Sequence, residues 1–231
     1  MFDDTSQRYR LRHPANTNLS QHYDKYFEGL PLMLSKGPFI REHLASLKRT
    51  IELAMDQYPR VLAFRVDLRL PQGIDLPDYA YTNQVISRFF ESFTKKIQHH
   101  QEKVRERDGY ARGCKVRYVW SREVGQRGKP HYHLLILLNR DAYYTVGRLS
   151  SERVNMISRM EASWAGALGI SADQVKGLVE IPKNAEYLVN RHVRSDDIDE
   201  LPKLFYRASY LCKTATKRYG DRQRGFDTSR G

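Results

Sequence analysis

Glu123-Val-Gly-Gln-Arg-Gly-Lys-Pro-His131-Tyr-His133-Leu-Leu-Ile-Leu-Leu138 is the stretch whose reading sets the fold. Lys115 to Glu123 and His131 to Leu138 read as strands, and the loop between them carries Gly125, Gly128 and Pro130. An antiparallel hairpin is expected. Side chains alternate between the faces of a strand, so His131 and His133 project from the same side. In a hairpin symmetric about Arg127, Glu123 lies directly opposite His131, because cross-strand partners share a face. The expected product is a Glu/His/His cluster on one sheet surface.

Outward from this hairpin, Leu62, Phe64, Val66, Leu68 and Leu70 alternate with Ala63, Arg65, Asp67 and Arg69, predicting a strand with one wet face. Ile40, Leu44, Leu47, Ile51, Ala54 and Tyr58 recur at helical steps after Pro38, which suits a first helical turn, and predict a helix ending before Pro59. Val85, Ile86, Phe89, Phe90, Phe93 and Ile97 mark a second helix, whose charged tail from Lys95 to Arg107 is expected in solvent. A third follows at Val154, Ile157, Met160, Trp164 and Leu168, a short one at Ala185 to Val193, and a final basic one at Lys203 to Tyr219. Residues 1–36, polar and without periodicity, are expected to form an extended arm preceding one domain over 37–231. The element order predicts an α+β fold, helices packed on a mainly antiparallel sheet.

Charge narrows the partner: 39 Lys+Arg against 27 Asp+Glu give a net +12 over 231 residues, which points to nucleic acid. Hydrophobic residues at 40% suffice for one substantial core and argue against a disordered chain. Cys114 and Cys212 form no C-x-x-C pair, which removes the basis for a disulfide framework or an all-cysteine zinc site. The longest apolar run, Leu134 to Leu138, is far short of a membrane span, and no signal peptide is read at the N-terminus, so a cytoplasmic protein without a membrane partner is expected. A Walker A loop is absent, which excludes an ATP-driven helicase.

Two imidazoles and one carboxylate with open positions suit a divalent ion that polarises a phosphoryl oxygen, Mg²⁺ or Mn²⁺ by preference, with zinc left open. A polar strand face also carries such histidines; Glu123 at the facing position favours the metal. Tyr206, Tyr210, Lys213 and Lys217 fall at spacings that line one side of a helix, so hydroxyl nucleophiles and cations share a stripe. A tyrosine stripe at this spacing is also common in a core-facing helix. Arg65 and Arg69, on the wet face of their strand, and Lys217 are candidates for holding DNA phosphates. His13, His22, His43, His99, His100 and His192 receive no role.

Together, Pro130-His131-Tyr132-His133-Leu134-Leu135, the upstream Glu123 and Tyr210-Leu-Cys-Lys213 resemble the motifs of the HUH endonuclease superfamily. Within it the chain is most similar to the inovirus-type replication proteins that include prophage-borne YagK/YfjJ-like members. Phe64-Arg-Val-Asp-Leu-Arg69 resembles an early strand motif of that family, and the resemblance spans about residues 60–219. It implies a ferredoxin- or RRM-like sheet with the histidines on a central strand. It implies a metal held by Glu123, His131 and His133, and attack by Tyr210 on single-stranded DNA at a replication origin to leave a 5′-phosphotyrosine. Lys213 would stabilise the phenolate or the transferring phosphate, and Tyr206 would be the second tyrosine if two are used. Rolling-circle replication of a phage, plasmid or integrated element, with a host helicase and polymerase, is the implied setting. The alternatives are a non-catalytic nucleic-acid-binding regulator with the same fold, an HUH-type transposase, and a phosphoesterase that uses water.

Overall fold

A computed structural model describes residues 11–125, 128–147, 154–193, 198–215, 217 and 220–230. In chain order it contains β1 (Arg12–His13), β2 (Asn16–His22), β3 (Tyr26–Phe27), β4 (Leu30–Pro31), β5 (Phe39–Ile40), α1 (Arg41–Gln57), β6 (Arg60–Arg69) and α2 (Gln84–Asp108). There follow β7 (Arg117–Val124), β8 (Pro130–Asn139), α3 (Met156–Leu168), β9 (Val179–Glu180), β10 (Glu186–Asn190), α4 (Leu201–Ala208) and β11 (Phe226–Thr228). The main sheet runs β10-β6-β8-β7-β11, with β9 also on β6, and every pairing in it is antiparallel. The α+β class and the central placement of the histidine strand follow directly.

Helices cover both faces of this sheet. Leu62, Phe64, Val66 and Leu68 on β6, with Tyr132, Leu134, Ile136 and Leu138 on β8, pack under α2 and α3. The alternate set, Val61, Ala63, Leu135 and Leu137, packs under α1 and α4 with Leu44, Leu47, Leu204 and Phe205. The expected wet face of β6 is therefore covered. Its polar residues lie toward the C-terminal end of the strand, and there the apolar packing gives way to Arg65, Asp67 and Arg69 facing β8 residues Leu135, His133 and His131.

Helix α2 extends as its apolar spacing predicts and ends at Gly109, whose φ of 73° supplies the left-handed cap. Beyond Ile97 its buried residue is Gln101, so most of the charged tail faces outward as expected. Helix α3 starts at a capping box in which the Asn155 side chain and Ser158 satisfy each other's backbone N–H groups. Trp164 on α3 is fully buried, its ring edge-on to Phe89 and Tyr132, and its Nε1 donates to the carbonyl of Arg69 at 2.8 Å.

Four expectations are corrected. The helix predicted over Ala185 to Val193 is strand β10: Tyr187 and Val189 face one core while Leu188 faces the other, and the edge of β6 supplies its backbone partners. The first helix begins at Arg41 and not at Pro38, because Phe39 and Ile40 pair with β2. The final helix stops at Ala208 and tightens into a 3-10 turn over Ser209–Cys212. There Lys213 turns extended to bridge Phe39, and the Thr214 N–H donates to the carbonyl of Pro38 at 2.8 Å. Residues 216, 218 and 219 of that predicted helix lie outside the described residues. The polar arm is not extended coil over residues 11–36: its strands pair in hairpins, and Phe27 and Leu32 are buried with Phe39 and Phe205. Residues 1–10 lie outside the described part.

His43 on α1 stacks on Phe226 with ring centres 4.1 Å apart and 7° between planes. Burial, helped by the nearby Lys217 and His13 charges, pushes its pKa down to about 3.

Two outcomes follow. Trp164→Ala removes the largest fully buried side chain and is expected to cost about 3–5 kcal/mol in urea unfolding; a loss below about 1 kcal/mol contradicts this packing. His43 stays neutral in the folded chain above about pH 3 but is protonated below its ordinary value of 6.5 when unfolded, so it removes stability as pH falls between these values. His43→Gln is expected to flatten the fall from pH 6.5 to 4.5 by about 2 kcal/mol, read as a difference in pH slope between variant and parent.

Candidate active site

Register assembles the polar end of the sheet. Glu123 pairs with His131, Ser121 and Asp67 flank His133 from either side, and Arg69 faces His131. Glu123, His131, His133 and Asp67 therefore come from adjacent strands onto one face. Ligand atoms of Glu123, His131 and His133 all lie within 4.8 Å of one another. Nε2 of His131 is 3.5 Å and Nε2 of His133 3.6 Å from Glu123 Oε2.

His133 is oriented by Asp67, whose Oδ1 lies 2.7 Å from Nδ1. That contact leaves Nε2 buried, without a hydrogen-bond partner, and turned toward Glu123. A ring nitrogen held by a carboxylate while the other faces a converging donor set is the arrangement metal-ligating histidines adopt, and the group fits a divalent ion. Burial pushes the Glu123 carboxyl up, but the nearby His131 and His133 rings and the Lys213 ammonium outweigh it and hold the group well below the usual carboxylate range. Burial likewise opposes the His133 charge, and the Asp67 and Glu123 carboxylates reverse that, raising its pKa.

Tyr210 reaches this group from the turn after α4. Ser209 anchors the turn, donating to the Tyr206 carbonyl at 2.7 Å and accepting from the Met33 N–H at 3.1 Å, while Leu211 and Cys212 are buried beneath it. The Lys213 ammonium donates to Tyr210 Oη at 2.6 Å and lies 2.8 Å from Glu123 Oε1. The Tyr210 ring stands edge-on to His133 with centres 5.1 Å apart, and the Arg65 guanidinium lies 5.6 Å from its centre. A cavity of about 440 Å³, lined by Arg69, Gln72, Lys129, His131, His133 and Tyr210, opens over the group.

The other predicted residues are distributed differently. Arg69 is exposed at this cavity and pairs with Glu180 at 2.7 Å. Arg65 is corrected from its expected wet-face position: it is buried, donating to the carbonyls of Leu134 and Arg207 and pairing with Asp67. Lys217 is also corrected: it is buried and donates to the carbonyls of Leu211 and Gly225, both at 3.0 Å, and burial pushes its pKa down to about 7. Tyr206 lines a separate cavity with Tyr187. The predicted stripe thus divides because the helix ends between its members. Asp67 is the member of this group that sequence reasoning missed. Its signal was a carboxylate alternating with Arg65 and Arg69, but only strand pairing places it beside His133.

This chain belongs to the YagK/YfjJ C-terminal domain family, whose model matches residues 22–229. It is 32% identical over 199 residues to the uncharacterized protein YagK of Escherichia coli (strain K12), covering 84% of this chain and 94% of YagK. To the uncharacterized protein YfjJ of the same organism it is 32% identical over 203 residues, covering 84% of this chain and 97% of YfjJ. Among solved structures, the N-terminal nuclease domain of the minute virus of mice non-structural protein 1 aligns with a TM-score of 0.24 and 13% identity, covering 66% of this chain and 75% of that one. Among the described residues no helix is long and apolar enough to cross a membrane.

Calorimetric titration with Mn²⁺ checks the donor set. His131→Ala/His133→Ala is expected to abolish binding, and Asp67→Asn to weaken it about ten- to hundredfold by releasing the His133 ring. Unchanged affinity in Asp67→Asn removes the orienting role.

Proposed function

We propose that this protein is a metal-dependent HUH nickase that cuts and rejoins single-stranded DNA at a replication origin, initiating rolling-circle replication of a phage, plasmid or integrated element. The observation that carries the reading is the Lys213 ammonium shared between Tyr210 Oη and Glu123, beside the cavity lined by Arg69, Lys129 and the two histidines. A tyrosine hydroxyl and a metal-donor group so joined suit phosphoryl transfer to tyrosine better than hydrolysis by water.

Glu123, His131 and His133 would hold the ion, Mg²⁺ or Mn²⁺, which when bound polarises the scissile phosphate. Tyr210 Oη attacks phosphorus, the bond to the 3′ oxygen breaks, and the 5′ phosphate stays on the tyrosine as a diester. The phenol proton leaves to solvent through the open cavity, and the departing 3′ oxygen gains one from solvent. An unperturbed tyrosine titrates at about pH 10, so the Lys213 contact matters: an ammonium at 2.6 Å stabilises charge on Oη and on the transferring phosphate. Reversal of the same step by a 3′-hydroxyl rejoins strands. Asp67 keeps His133 in register, and Arg69 and Lys129 at the cavity wall supply cations for the DNA backbone. Unwinding and synthesis fall to a host helicase and polymerase.

Incubation with Mn²⁺ and overlapping single-stranded fragments of the DNA flanking its own gene, resolved on a denaturing gel, is expected to give a covalent protein–DNA adduct. The adduct should vanish with a chelator, in Tyr210→Phe and in His131→Ala/His133→Ala, and should form about 10²- to 10³-fold more slowly in Lys213→Met. Cleavage without an adduct would replace the tyrosine by water, and binding with neither would make the protein a regulator.

A further inference from the structure

Tyr206 is an exposed aromatic that belongs to neither hydrophobic core. On α4 the neighbouring Leu204, Phe205 and Ala208 are buried, whereas Tyr206 is 43% exposed and faces a cavity of about 680 Å³. That cavity also presents the Tyr187 side chain of β10, the cations Lys203 and Arg207, and the carboxylates Glu186 and Glu200. Among the described residues no charged group bonds the Tyr206 hydroxyl, in contrast to Lys213 on Tyr210.

Its position relative to Tyr210 is informative. Helix α4 ends at Ala208 and Tyr210 lies in the 3-10 turn after it, so at about 1.5 Å per helical residue and 2.0 Å per 3-10 residue the backbone rises about 7 Å from Tyr206 to Tyr210. One strand of a duplex advances about 3.4 Å per nucleotide, so this backbone spacing matches about two nucleotides. We infer that the Tyr206–Tyr187 cavity is a nucleobase-binding site that stacks a base flanking the scissile phosphate, and that Tyr206 is a recognition residue instead of a second nucleophile. The inference rests on the reading of Tyr210 as the attacking group.

The chemistry of the lining favours a base over a phosphate. Lys203 and Arg207 are offset by two acids, so the cavity has little net attraction for a backbone anion. Glu200 accepts from the Leu188 N–H at 2.6 Å and Glu186 from the Thr145 hydroxyl at 3.0 Å. Each carboxylate retains lone pairs that can accept from the exocyclic amino group of a base. Stacking on an aromatic face tolerates any base.

The test uses the full chain carrying Tyr210→Phe, so that binding is read without cleavage, with a fluorescent mixed-sequence single strand and a matching strand of abasic residues. Anisotropy is expected to show Tyr206→Ala weakening the mixed-sequence strand about tenfold or more, Tyr206→Phe restoring affinity to within about twofold, and the abasic strand indifferent to both. Thermal melting of each variant verifies folding, which the exposure of Tyr206 favours. Equal affinity of Tyr206→Ala and its parent overturns the inference, and so does an equal loss in Tyr206→Phe and Tyr206→Ala. In chains that retain Tyr210, adduct formation separates the two readings. An adduct with Tyr206-independent binding keeps the nickase and removes the base site. Tyr206-dependent binding with no adduct keeps the base site and removes the nickase.

Discussion

Strand β8 is hydrogen-bonded along both edges, to β6 over Val61–Arg69 and to β7 over Arg117–Val124, and everything else in the molecule depends on that double pairing. A slip of one residue on either side would turn Leu135 and Leu137 out of one core, and Leu134 and Ile136 out of the other. Because both faces are covered by helices, such a slip would exchange the two leucine sets between differently lined cores and carry His131 and His133 to the side of α2 and α3. The same constraint carries His131 and His133 to the side of α1 and α4, with Glu123 and Asp67 delivered from either neighbour. The candidate site is thus positioned by the packing of leucines several residues away.

The polar end of that face holds a chain of charge in little water: Arg65 to Asp67, Asp67 to His133, His133 and His131 to Glu123, and Glu123 to Lys213. Desolvating so many ionic groups is unfavourable, and an apolar packing of similar shape would serve stability as well or better. What the network supplies is geometry. Arg65 ties the strand to the carbonyl of Arg207 near the end of α4, so the turn bearing Tyr210 is held to the same sheet that bears the histidines. The 3-10 tightening after Ala208 matters for the same reason, since it releases Lys213 from the helix and lets its ammonium lie between Tyr210 and Glu123.

Much of this was legible in the residues. The alternation in Val61 to Leu70 and His131 to Leu138, the helical steps of Val85 to Ile97, and the symmetry of the loop about Arg127 each rest on local periodicity, and each predicted its element and facing partner. Where the reading departed, a distant partner decided the outcome. Ala185 to Val193 becomes a strand because β6 has a free edge, and residues 11–36 fold because α1 and α4 leave apolar surface for Phe27 and Leu32. Arg65 and Lys217 read as surface cations, but both are enclosed and bonded to carbonyls, an outcome no spacing rule contains.

What the sequence by itself determined is the set of faces: which residues of each strand travel together, and hence that Glu123, His131 and His133 share a surface. That information is local, because side-chain period and turn geometry are properties of neighbouring residues. Tertiary structure alone decided which faces were covered, that Asp67 meets His133, and that Tyr210 and Lys213 join the group while Tyr206 and Lys217 do not. Those outcomes depend on contacts between segments far apart in the chain, whose energies arise only when the core closes and the helix is forced to end.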